Sequence, residues 1–136
     1  MTSYEMLIRG KVISGKGEGK KYLSESRYAG QFEKYLSFIP FPGTLNLLVE
    51  EEDYGKFKIL RKKRGIVIQG FKDEGREFGS VRCFECTVDS KVRGAVIIPE
   101  KSCYSNIMEI ISDRSLRHVL SLRDGDKIDI LVDEYE

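Results

Sequence analysis

The chain has 136 residues, with 40% hydrophobic and 33% charged side chains, which describes one globular domain and excludes a disordered chain. Twenty-three basic residues against 22 acidic ones leave a net charge of +1, so overall charge cannot drive binding to nucleic acid or to a membrane surface. A single His excludes a multi-histidine metal site, and three Cys, an odd number, argue against a disulfide framework. Met1–Glu5 carries no basic n-region and no long apolar stretch follows, so a cytosolic chain is expected.

Residues 7–14 read as a first strand. They run into Gly15-Lys16-Gly17-Glu18-Gly19-Lys20-Lys21, whose alternate glycines predict a loop through Lys21. Tyr28, Gln31, Phe32, Tyr35, Leu36 and Phe38 recur at helical spacing and predict a helix over 27–38, stopped by Pro40-Phe41-Pro42-Gly43. Residues 44–49 read as a strand. The acidic run Glu50-Glu51-Glu52-Asp53 reads as a solvated loop or helix start. Phe57–Leu60 reads as a short strand or turn, and Arg61-Lys62-Lys63-Arg64 as a solvated hairpin tip.

A long strand is predicted over 78–88, interrupted near Gly79, and another over 91–99. Cys83 and Cys86 form a lone CxxC within the first of these. Three residues apart in a strand, they point to opposite faces, which favours packing over zinc. Cys103 reads the same way. Residues 107–111 are apolar and β-branched, predicting a strand. Ser115–Leu120 predicts a short helix capped by Ser112 or Asp113, and Arg123–Asp126 a turn before a last strand over 127–132. Six to eight short strands with few helices predict a mostly β domain, a small barrel rather than an open parallel sheet.

Two segments carry chemistry. Gly15, Gly17 and Gly19 expose backbone N–H groups, and Lys16, Lys20 and Lys21 add positive charge, the makings of a phosphate cradle. The spacing is neither that of a Walker A loop nor GxGxxG, and a flexible hairpin fits it equally. In Pro42-Gly43-Thr44-Leu45-Asn46, Thr44 and Asn46 share a strand face and offer hard oxygen ligands of the kind Mg²⁺ accepts; a strand-capping turn is the competing reading. His118 has no identifiable nucleophile partner.

Residues 13–24, Pro42-Gly43-Thr44-Leu45-Asn46-Leu47, Gly94-Ala95-Val96-Ile97-Ile98-Pro99, Glu109-Ile110-Ile111, Leu116-Arg117 and Leu122-Arg123-Asp124-Gly125-Asp126 together resemble the archaeal CTP-dependent riboflavin kinases, in the same order and over nearly the whole chain. The resemblance implies a six-stranded cradle-loop β-barrel with short helices, one domain over 1–136. It implies the reaction riboflavin + CTP → FMN + CDP, with Mg²⁺ held by Thr44 and Asn46. Gly15, Lys16, Gly17, Glu18, Gly19, Lys20 and Lys21, with Ser115, Leu116, Arg117 and His118, would hold the nucleotide. Ser102 and Glu109 would contact the flavin, and Glu109 is the one carboxylate considered as a general base.

The stretch between Pro99 and Glu109 is one residue shorter than the family's pattern. His118 stands where the family carries an acidic residue, so its side chain inherits no role. Some family members carry a helix-turn-helix domain, for which 136 residues leave no room. Riboflavin, FMN, CTP and CDP are the expected partners, with no nucleic acid, membrane or obligatory protein partner. The competing class is a non-enzymatic DNA-binding barrel, which the closing segment 122–128 and the basic run 61–64 would suit and the charge balance disfavours.

Overall fold

The computed structural model describes residues 5–15, 20–100 and 106–133. Among these, nine strands and four short helices follow in order. They are β1 (Met6–Ile13), α1 (Lys20–Leu23), α2 (Ser26–Leu36), β2 (Leu45–Val49), α3 (Tyr54–Arg61), β3 (Ile66–Ile68), β4 (Phe71–Asp73) and β5 (Arg76–Phe78). β6 (Val81–Val88), β7 (Val92–Pro99), β8 (Ile107–Ile111), α4 (Leu116–Val119) and β9 (Lys127–Val132) complete the chain.

Six strands, in the order β6-β7-β8-β2-β1-β9, pair antiparallel, and β9 pairs back with β6, closing a barrel. Closure removes the open edges that would otherwise recruit another chain. β3 pairs with β6 outside the ring, and β4 and β5 form a separate hairpin.

Alternation explains the ring. In β1 the burial pattern runs strictly in and out, and Ile8 and Val12 face the interior. Leu45, Leu47 and Val49 of β2, Met108 and Ile110 of β8, and Ile128, Ile130 and Val132 of β9 meet them there. Phe57 and Leu60 of α3 and Leu116 of α4 pack into the same cluster. A second apolar cluster covers the outer face of part of the barrel. Tyr28, Phe32 and Leu36, spaced four apart on α2, pack with Tyr22 and Leu23 over Ile68, Val81, Cys83, Ala95, Ile97 and Ile111.

The two clusters separate the CxxC pair. Cys83 lies in the outer cluster and Cys86 in the barrel interior, both with no exposed surface. The thiols face opposite sides of one strand and cannot share a metal. Burial pushes both thiols up in pKa, Cys86 to about 12. Cys103 lies outside the described residues.

Four local readings change. Phe57–Leu60 belongs to helix α3, because Phe57 and Leu60, one helical turn apart, both bury against the barrel. The basic run is therefore no hairpin tip: Arg61 ends the helix and Lys62 caps it, placing cations at the negative end of the helix dipole. The acidic run is a helix start, a 3₁₀ turn over Glu51–Asp53 leading into α3, but Asp53 is buried rather than solvated, since it accepts three hydrogen bonds from Arg9. Helix α4 is capped by Ser115, whose hydroxyl accepts from the His118 N–H, and not by Ser112 or Asp113.

Candidate functional site

The antiparallel order decides what meets at one rim of the barrel. Ile13 pairs with Asn46, Asn46 pairs with Glu109, and Lys11 pairs with Lys127. The end of β1, the start of β2, the end of β8 and the start of β9 therefore lie side by side. Ser14 and Gly15 after β1, the Pro42–Thr44 turn before β2 and helix α4 after β8 all lie at that rim.

Two adjoining hollows result. The first, about 330 Å³, is lined by Ser14, Gly15, Pro42, Gly43, Thr44, Asn46 and Arg117. The second, about 180 Å³, shares Gly43, Thr44 and Arg117 and adds Phe41, Leu45, Ile110, Ser112, Arg114, Ser115 and Leu116. Residues from three distant blocks of sequence thus converge on one surface.

Asn46 is the site's least satisfied group. It alternates with the interior-facing Leu45 and Leu47, so it points outward, yet it is buried. Its Oδ1 has no hydrogen-bond partner among the described residues. The chain's own crossing explains the burial: a Cβ placed on Gly15 would fall 2.0 Å from Asn46 Nδ2. Only glycine allows the backbone to lie so close over this side chain. An orphaned, buried carbonyl oxygen in a hollow that Thr44 also lines offers, with the Thr44 hydroxyl, hard oxygen donors of the kind that suit a cation such as Mg²⁺. Among the described residues no group of three His, Cys, Asp or Glu side chains could hold a metal, so an ion here would take most of its ligands from water and substrate oxygens.

A polar tie fixes the rim. Arg117 Nη2 donates to the Ile13 carbonyl at 2.9 Å and to Asp124 Oδ1 at 2.6 Å. Ser14 Oγ donates to Asp124 Oδ2 at 2.5 Å. The Ser14 hydroxyl and the Arg117 guanidinium hold the Asp124 carboxyl below the usual range. Asp124 thereby ties the end of β1 to α4 and to the turn before β9.

The predicted site residues divide as follows. Gly15, Thr44, Asn46 and Arg117 line one hollow, with Ser115 and Leu116 in the next. Glu109 lines neither, but it is buried one strand over from Asn46. His118 is exposed and lines neither. Lys20 and Lys21 open helix α1 rather than continuing a loop. Lys16, Gly17, Glu18, Gly19 and Ser102 lie outside the described residues. Ser14 and Asp124 fall within the blocks at 13–24 and 122–126 but carry no assigned role in the sequence reading, and neither do Phe41 and Arg114. The Asp124–Ser14 contact spans 110 positions, and no local signal announces it. A separate hollow on the barrel is lined by the basic side chains of Lys58, Arg61, Lys62 and Arg82, with Ile98, Pro99 and Glu100.

A family model named for CTP-dependent riboflavin kinase, and described as a domain of unknown function (DUF120), matches residues 12–132. The chain belongs to this family. Proteins named riboflavin kinase are similar to it along most of its length. That of Thermoplasma volcanium is 42% identical over 127 residues, covering 93% of this chain and 57% of the relative. That of Archaeoglobus fulgidus is 43% identical over 126 residues, 92% of this chain and 54% of the relative. That of Ignicoccus hospitalis is 41% identical over 133 residues, 97% of this chain and 74% of the relative. The chain spans a little over half the length of the first two relatives. The family's blocks at 42–47, 94–99, 109–111 and 122–126 map onto the start of β2, β7, β8 and the turn before β9. No helix among the described residues is long and apolar enough to cross a membrane.

Proposed function

We propose that this chain is a riboflavin kinase, transferring the γ-phosphate of CTP to the 5′-hydroxyl of riboflavin with Mg²⁺ and giving FMN and CDP. The observation that carries the reading is the convergence of Gly15, Thr44, Asn46 and Arg117 on one hollow, with the Asn46 Oδ1 buried and unsatisfied. Family membership supplies the substrate class.

Phosphoryl transfer asks for little covalent chemistry from the protein; positioning and charge compensation dominate. The riboflavin oxygen bonds to the γ-phosphorus, the bond from that phosphorus to the β,γ-bridging oxygen breaks, CDP departs, and the hydroxyl proton is lost. Thr44 and Asn46 would hold Mg²⁺, which when bound neutralises charge on the phosphate oxygens.

The chain's residues do the remainder. Gly15 lets the backbone pass directly over Asn46, holding that side chain at the rim. Arg117, anchored on Ile13 and Asp124, places a fixed positive charge at the junction of the two hollows. The segment of Lys16, Gly17, Glu18, Gly19, Lys20 and Lys21 is assigned to the phosphates, and Ser115, Leu116, Arg117 and His118 to the nucleoside, His118 through its backbone alone. Ser102 and Glu109 are assigned to the flavin. Glu109 is paired in register with Asn46, so a flavin held by Glu109 would lie near Asn46.

The test is incubation with riboflavin and Mg²⁺ in the presence of CTP, UTP, GTP or ATP side by side, with chromatography for FMN. FMN formed preferentially with CTP is the expected result. No FMN with any nucleotide, together with tight, salt-sensitive DNA binding, would replace the kinase reading with that of a binding module.

A further inference from the structure

We propose that Phe41 is the surface on which the nucleobase of the nucleoside triphosphate stacks, an inference that rests on the nucleotide reading above. Phe41 is a large apolar side chain left 39% exposed, at the edge of the 180 Å³ hollow. Among the described residues no aromatic ring or cation stacks on it, whereas Phe71 and Phe78 stack on each other with centroids 4.6 Å apart.

The ring is held in place rather than dangling. The Phe41 N–H donates to the Ser112 carbonyl at 2.8 Å, and the Phe41 carbonyl accepts from the Gly43 N–H at 2.8 Å. Pro40 and Pro42 fix the backbone φ on either side. A Cβ on Gly43 would lie 3.3 Å from Phe41 Cε1, so the ring lies close along the turn, where a larger residue would push it. A preset ring loses little freedom when a ligand meets it.

The hollow beside the ring suits a flat base. Its floor is apolar, made by the buried Leu45, Ile110 and Leu116. Its polar lining is Ser112, Arg114 and Ser115, groups that can meet the edge of a heterocycle. It opens through Gly43, Thr44 and Arg117 into the polar hollow that holds Asn46. A nucleotide laid across both places its phosphates at Thr44 and Asn46 and its base over Leu45 and Leu116, one face against Phe41. Aromatic stacking of this kind tolerates any base, so Phe41 contributes affinity, and the polar lining is left to choose among bases.

Calorimetry on the wild type, Phe41→Ala, Phe41→Leu and Phe41→Trp, with CDP, inorganic tripolyphosphate and riboflavin as separate titrants, tests this. Phe41→Ala and Phe41→Leu are expected to weaken CDP binding about 5- to 100-fold, while tripolyphosphate and riboflavin affinities stay within about twofold. Phe41→Trp keeps a stacking face and should hold CDP within about threefold of wild type. CDP affinity unchanged in Phe41→Ala would overturn the inference and leave the kinase reading standing. Loss of riboflavin or tripolyphosphate binding in its place would equally overturn it. A wild type that binds no CDP defeats the nucleotide reading, and this inference with it.

Discussion

Replacing Asn46 by Ala separates binding from folding. The side chain is buried with its Oδ1 unpaired, and an unsatisfied buried polar atom costs roughly 1–3 kcal/mol. Removing it in metal-free protein therefore offsets the lost packing under Gly15, and the net change in stability should stay within about 1 kcal/mol. The effect of metal is the opposite. Mg²⁺ at one hundred times its dissociation constant stabilises a folded protein by about 2.7 kcal/mol. If Asn46→Ala weakens binding about a hundredfold, the same concentration gives RT ln 2, about 0.4 kcal/mol. For a domain of this size 1 kcal/mol moves Tm by roughly 4 °C, so an Mg²⁺-induced rise of about 10 °C should shrink to about 2 °C. Thermal melts with and without Mg²⁺ read this directly, and FMN formation should fall in parallel. An Asn46→Ala protein with the wild-type Mg²⁺ shift and normal turnover would refute the metal assignment. One that unfolds without metal would refute the reading of the orphaned oxygen.

Two further outcomes follow from the geometry. Asp53, 1% exposed, is held at about 2, first by the hydrogen bond from the Arg9 side chain, against an ordinary 3.8. Because the folded-state value is the lower one, its stabilisation is present above about pH 4 and is lost as pH falls through about 2. The stability gap between wild type and Asp53→Asn should thus narrow by about 2 kcal/mol between pH 6 and the foot of that range, by denaturant titration at each pH; a gap independent of pH would sink this account. Gly15→Ala puts a Cβ 2.0 Å from Asn46 Nδ2, so the chain must lift off Asn46. Activity should drop about a hundredfold with Tm little changed, and full activity in this variant would show that the close approach is dispensable.

The sequence by itself determined the six strands of the barrel and the packing role of Cys83 and Cys86. Alternation over 6–13 and 127–132 is a local property, since successive side chains of a strand point to opposite faces whatever lies beyond. It also offered Thr44 and Asn46 as candidate oxygen ligands and marked 15–21 as a glycine-rich segment, because glycine and proline act on their own φ angles. It misread 57–60, where four residues hold too few turns to show a helical period and only burial of Phe57 and Leu60 against the barrel reveals one. It gave no warning that Asp53 is buried, because its partner Arg9 stands 44 positions away. Only the tertiary structure decided that Gly15 crosses over Asn46, that Asp124 joins Ser14 to Arg117, and that Phe41 edges a hollow continuous with both. Those contacts depend on which strand ends share a rim of the barrel, and that order is set by closure of the whole sheet rather than by any one segment.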